Sequence, residues 1–205
     1  MLHYQTIDTQ TLELLKDLQK IPEFIHLRLV GGTSLALQYG HRKSIDINLF
    51  GEINSDALSI SRRLDEVGEV TQLKKSDNIN IYSINNIKVD IVNYHYKWLA
   101  DPRTEDGLIL AQEKDIAAMK LAAITGRGTK KDFIDLYFLL QKYALSQLLD
   151  FYSQKYHDGS IFLVIKSLSY FDDAEPDKEP VMLKHVKWED IKNHIVSELS
   201  KYLKN

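Results

Sequence analysis

The chain of 205 residues contains no cysteine, which excludes disulfides, thiolate zinc sites and cysteine nucleophiles together. Proline is scarce: there are four, and two of them fall within Phe171 to Pro180, so that stretch reads as a loop while the rest is open to regular structure. Long apolar runs are missing as well. The greasiest stretch, Phe133 to Leu140, is interrupted by Asp135, well short of the ~18 apolar residues a membrane span requires. Met1 to Lys20 lacks the basic start and apolar core of a signal peptide. These absences predict a soluble, cytoplasmic protein with no membrane partner. Nor does one sign of charge dominate. Lys and Arg total 26 against 29 Asp and Glu, a net charge of −3, so any nucleic-acid contact must come from a local patch.

What is present is an ordinary globular composition, 44% apolar and 27% charged, enough for a sizeable core. Leu12, Leu15 and Leu18, with Leu14 beside them, give one face to a helix capped by Asp8 or Thr9. Phe24 to Val30 reads as a strand running into Gly31-Gly32, followed by a short helix over Thr33 to Tyr39 that Gly40 stops. Ser44 to Phe50 alternates, with Ile45, Ile47 and Leu49 on one face and Asp46 and Asn48 on the other. Ser55 to Val67 suits a surface helix. Ile79 to Ile84 and Ile87 to Asn93 read as strands of a hairpin turned by Asn85-Asn86, because asparagine tolerates positive φ. From Ala111 the pattern turns helical, with segments over 111–125, 130–143, 146–156, 161–170 and 188–203. Strands first and helices second predict an α+β fold: a sheet domain over residues 1–108 and a helical lobe over 109–205.

Three clusters carry chemistry. Gly31 to Phe50 reads GGTSLALQYGHRKSIDINLF. Glycines let backbone amides approach a phosphate, and a helix start adds partial positive charge; the same pair also reads as a plain turn. Asp46 and Asn48 lie two apart on one strand, able to share a magnesium ion through hard oxygens. Asp90 sits mid-strand opposite Ile87, Val89 and Ile91, as a further carboxylate for phosphoryl transfer or as a solvent-facing acid on a one-sided sheet. The third cluster spans Lys120 to Asp135. Four cations, Arg127 among them, lie between Lys120 and Lys131 with no acid. Lys131, Asp132 and Asp135 share an arc of roughly 100° on a helix that is otherwise apolar. Such a strip faces a cleft or a partner, unless Lys131 and Asp135 form a surface i,i+4 pair. The histidines show no zinc-hydrolase spacing, and no Gly-x-Ser-x-Gly elbow or Walker loop occurs.

Gly31-Gly32-Thr33-Ser34, then His41-Arg42-Lys43-Ser44 running into Asp46 and Asn48, resembles the first motif of AbiEii/AbiGii-type nucleotidyltransferase toxins. Lys120-Leu121-Ala122-Ala123 through Arg127 to Lys131-Asp132-Phe133-Ile134-Asp135-Leu136 is similar to that family's second motif, and Asp90 stands at the place of its later strand carboxylate. The resemblance implies a nucleotidyltransferase-like fold with its site between sheet and helical lobe. It also implies metal-dependent transfer of a nucleoside monophosphate from an NTP to a tRNA 3′ end or a protein, with a cognate antitoxin. On that reading Asp46, Asn48 and Asp90 hold Mg2+ or Mn2+. Asp46, Asp90, Lys120 and Asp132 are catalytic. Gly31, Gly32, Thr33, Ser34, Arg127, Lys131 and Asp135 contact nucleotide. As a cleft residue, Lys120 is expected to be replaceable by alanine without much harm to the fold. Asn48 departs from the family pattern, which has a second Asp there. That removes a negative charge beside the cation and opens the alternative of a weakened or silent, nucleotide-binding regulatory module.

Overall fold

The computed structural model describes residues 1–204 and divides into two compact units. The first comprises Met1–His95 and Pro102–Ala111; the second takes Tyr96–Asp101 and the chain from Gln112 onward. All strands belong to the first unit and form one mixed sheet, in the order β3-β4-β5-β2-β1-β7-β6. They are β1 (Arg28–Leu29), β2 (Ile47–Gly51), β3 (Val70–Lys74), β4 (Ile79–Ile84), β5 (Ile87–Asn93), β6 (Arg103–Glu105) and β7 (Leu108–Leu110). β2 runs parallel to β5 and β1 parallel to β7, while the remaining pairs are antiparallel. This is the α+β class that the sequence pattern predicts.

Helices α1 (Thr9–Lys20), α2 (Gly31–Tyr39) and α3 (Ala57–Asp65) complete the first unit. Leu14, Leu15 and Leu18 of α1 and Ile60 and Leu64 of α3 share one core with Ile47, Leu49, Tyr82, Ile84, Val89 and Ile91 of the sheet. Asp8 is the cap of α1: its carboxylate accepts from the Thr11 amide and hydroxyl, each at 2.8 Å. Those bonds, the backbone one first, hold the Asp8 carboxyl below its ordinary range. Asn85 and Asn86 adopt φ of 51° and 65°, the left-handed conformation a two-residue hairpin demands.

The expected strand from Phe24 is much shorter, because Pro22 opens a 3-10 turn over Pro22–Phe24 and the Leu27 amide bonds back to the Phe24 carbonyl at 2.9 Å. Gly31 and Gly32 begin α2 instead of forming a separate turn. β2 starts only at Ile47, so Ile45, expected on the same face as Ile47 and Leu49, is 60% exposed while those two are buried.

The second unit holds α4 (Glu113–Gly126), α5 (Lys130–Leu140), α6 (Leu145–Lys155), α7 (Ile161–Ser167) and α8 (Trp188–Lys204). Phe133, Phe171 and Trp188 form an aromatic cluster with ring centroids 4.9 to 6.1 Å apart. The expected loop of 171–180 lacks helix and strand but is anchored at several points. Trp188 Nε1 donates to Glu175 at 3.1 Å, and the Lys130 amide at the start of α5 donates to Asp177 at 2.9 Å. Among the described residues no helix is long and apolar enough to cross a membrane.

Removing the α1 cap with Asp8→Ala is expected to lower stability by about 0.5–2 kcal/mol, measured by urea denaturation at pH 7. Because the folded-state pKa lies below the unfolded one, this contribution disappears as the pH falls below about 4, where wild type and variant should converge.

Candidate functional site

The parallel pairing of β2 with β5 sets Ile47 beside Val89, Asn48 beside Asp90 and Leu49 beside Ile91. Ile47, Leu49, Val89 and Ile91 are all buried in the core. Strand alternation therefore turns Asn48 and Asp90 to the opposite face, side by side at one level. The start of α2 meets the same place. The Val30 amide bonds the Asn48 carbonyl at 2.9 Å. Gly31 has a φ of +69°, and a Cβ there would lie 3.3 Å from Asn48 Nδ2, so this position needs glycine for both conformation and clearance. The residue before α2, Val30, makes no side-chain capping hydrogen bond to the helix, the usual partner of its leading amides.

Thr33 and Ser34 are fully buried. The Thr33 hydroxyl donates to the Asp46 carbonyl and shares a 2.8 Å hydrogen bond with the Ser44 hydroxyl. Gln38 Nε2 donates to Ser34 Oγ at 3.2 Å. Both hydroxyls tie the turn internally, and the partly exposed surface here is that of Gly31, Gly32 and Asp46.

Asp90 has a close neighbour that sequence reasoning missed. Lys88 Nζ lies 3.0 Å from its carboxylate, donating to Oδ2 and standing at the same distance from the buried Oδ1. The signal was present, since residues two apart on a strand share a face. Asp46, Asn48 and Asp90 offer hard oxygen donors of the kind magnesium or manganese takes, and the Asp90 carboxylate beside the Asn48 amide fits one such ion. Among the described residues no group of three or more His, Cys, Asp or Glu is placed to hold a metal, so water and substrate oxygens would have to complete the shell.

In the second unit the motif from Lys120 to Asp135 folds differently from expectation. Lys120 on α4 is buried, 4% exposed, and its ammonium lies 2.9 Å from Asp132 and 2.6 Å from Asp135 of α5. Both carboxylates are buried too. Asp132 also accepts from Arg127 Nε at 2.9 Å, Arg127 Nη2 at 3.2 Å and Thr129 Oγ1 at 2.7 Å. Burial alone would raise the Asp132 carboxyl, but the Lys120 and Arg127 charges outweigh it and hold it well below the usual range. The strip expected to face a cleft is thus split: Asp132 and Asp135 close on Lys120, while Lys131 is exposed and the Arg127 side chain is 67% exposed. Lys120 is not a loosely packed residue, contrary to expectation, because the spacing of α4 and α5 wraps it in two carboxylates.

The sequence reading also passed over a second buried pair. Lys155 Nζ of α6 lies 2.7 Å from Asp115 of α4, with both side chains fully enclosed, and 4.6 Å above the Trp98 ring.

Residues 13–204 match the family described as nucleotidyl transferase AbiEii toxin of type IV toxin–antitoxin systems; the chain belongs to this family. "Uncharacterized protein aq_aa25" of Aquifex aeolicus (strain VF5) is 37% identical over 187 residues, covering 86% of this chain and 88% of that protein. The fold is similar to that of a candidate nucleotidyltransferase from H. pylori, with a TM-score of 0.61, 19% identity and 95% of each chain covered. It is also similar to the nucleotidyltransferase toxin MenT4 (Rv2826c) from Mycobacterium tuberculosis H37Rv, with a TM-score of 0.59, 16% identity, and 93% of this chain and 81% of that one covered.

Lys120→Ala strands two buried carboxylates and is expected to cost about 3–5 kcal/mol. Arg127→Ala, at an exposed cation, should cost about 1 kcal/mol or less. Urea denaturation of the two variants at pH 7 checks the contrast. In wild type the Asp132 contribution is complete above the unfolded carboxyl pKa of about 4 and is lost as the pH drops below it.

Proposed function

We propose that this chain is a metal-dependent nucleotidyltransferase that moves a nucleoside monophosphate from an NTP to an RNA, at a tRNA 3′ end, or to a protein acceptor, restrained by a cognate antitoxin. The observation that carries this reading is the pairing of Asn48 with Asp90 beside the glycine-led start of α2. Family membership supports the reaction class.

In this reading the amides of Gly31 and Gly32 bind triphosphate oxygens, aided by the partial positive charge of the helix start. Thr33 acts through its bond to the Asp46 carbonyl, holding Asp46 against the turn. Asp46, Asn48 and Asp90 would hold Mg2+ or Mn2+, which when bound supplies charge neutralisation at the phosphoryl group undergoing transfer. The acceptor hydroxyl oxygen forms a bond to the α-phosphorus, the bond to pyrophosphate breaks, and the hydroxyl proton passes to the Asp90 carboxylate. Lys120, Asp132 and Asp135 serve as positioning residues, fixing α4 against α5. Arg127 and Lys131 are the exposed cations of that motif, of the kind that binds phosphate or nucleic acid.

The second reading, a silent nucleotide-binding module, is favoured by one observation: an uncharged Asn48 stands beside Asp90. An assay with α-labelled NTPs, Mg2+ or Mn2+ and total tRNA separates the two. Label on RNA or protein with wild type, reduced about a hundredfold or more by Asp46→Ala, is the expected result. Label with Asn48→Asp alone would establish the binding module instead.

A further inference from the structure

Lys88 is absent from both motifs, yet its ammonium lies on Asp90 of the candidate site. Lys88 and Asp90 are two apart on β5, so they share the face opposite the buried Val89 and Ile91. The Lys88 ammonium is 3.0 Å from the Asp90 carboxylate, with side-chain exposures of 46% and 19%. Asp90 lies beside Asn48 on β2 and Ile81 on β4, and Lys88 beside Ser83 on β4. The row through Asp90 therefore carries one negative charge, and Lys88 already balances it. Two-metal phosphoryl-transfer sites hold a pair of ions about 3.5–4 Å apart, and two divalent charges that close need several carboxylates between them. Here one position is an amide and a second carboxylate has an ammonium on it.

We propose that Lys88 is a built-in counter-ion for Asp90, which suppresses divalent-ion binding to the nucleotide-free protein and limits the site to one ion that enters with the triphosphate. This rests on the nucleotidyltransferase reading for the identity of the site. Lys88 is a positioning residue: it acts on the ion through Asp90. The triphosphate brings the negative charge that Asn48 does not supply, so the ion and the nucleotide bind together.

Free Mn2+ counted by electron paramagnetic resonance tests this without any transfer step. Nucleotide-free wild type is expected to bind Mn2+ only in the millimolar range, and to take up one ion when a non-hydrolysable NTP analogue is added. Lys88→Met should tighten nucleotide-free binding by roughly tenfold or more, since removing a unit charge a few ångströms from a divalent ion is worth over a decade of affinity near a protein surface. Lys88→Arg, which keeps the charge, should behave as wild type. Asn48→Asp should tighten binding in the same direction, and thermal melts confirm that each variant is folded. Micromolar binding of two ions by nucleotide-free wild type would overturn the proposal, as would equal affinities for Lys88→Met and Lys88→Arg. The two failures are distinguishable. Transfer activity combined with equal Mn2+ affinities removes the counter-ion and leaves the enzyme. No transfer combined with the expected Mn2+ response removes the reaction and leaves the counter-ion.

Discussion

The parallel pairing of β2 with β5 is the constraint on which the first unit depends. These strands lie at the centre of the sheet, and a slip of one residue would turn every side chain to the other face. Ile47 and Leu49 against Val89 and Ile91 prevent that slip, because all four are sealed in the core with α1 and α3. Once those four point inward, Asn48 and Asp90 must point outward at the same level. The polar site is therefore a by-product of hydrophobic register. The α2 turn is fastened to the same strand by the bond from the Val30 amide to Asn48 and by the hydroxyl of Thr33 on the Asp46 carbonyl.

In the second unit α4 plays the corresponding part through charge. Its Lys120 is claimed by Asp132 and Asp135 of α5, and its Asp115 by Lys155 of α6. Each helix pair is thus registered by an enclosed ion pair. Such pairs add little net stability over a hydrophobic contact, yet breaking one is costly, so they penalise alternative packings more than they reward the native one. The Asp115 and Lys155 pair also gathers in the segment Tyr96–Asp101, through the Leu99 amide on Asp115 and the Lys97 carbonyl on Lys155.

What the sequence made legible was short-range. The Asn85-Asn86 hairpin, both of its strands and the Asp8 cap follow from residues that meet their partners within a few positions. The outward faces of Asn48 on β2 and Asp90 on β5 were also readable, because alternation along each strand sets a side chain's face, whereas their pairing across the two strands was not. β3 escaped notice because it is a mostly exposed edge strand with polar residues, and β6 and β7 are too short to show a period. The fate of Lys120 was illegible for a different reason. The charges of this motif read as a strip facing a cleft, and only the packing of α5 on α4 closes its carboxylates on Lys120. The same blindness hid Lys88, whose importance lies in a neighbour and not in a motif.

The family places this chain among nucleotidyltransferase toxins, but the fold alone does not decide what its site does. The decisive quantity is charge at fixed shape. Asparagine and aspartate have the same outline, so the clearance that Gly31 gives Asn48 would serve either residue. The strand register and the glycine turn persist whichever of the two occupies the position. Asn48 and Asp90 thus stand side by side with only one negative charge between them, and Lys88 offsets that charge. That combination is what a site would require if its cation were supplied with the nucleotide rather than stored in the protein.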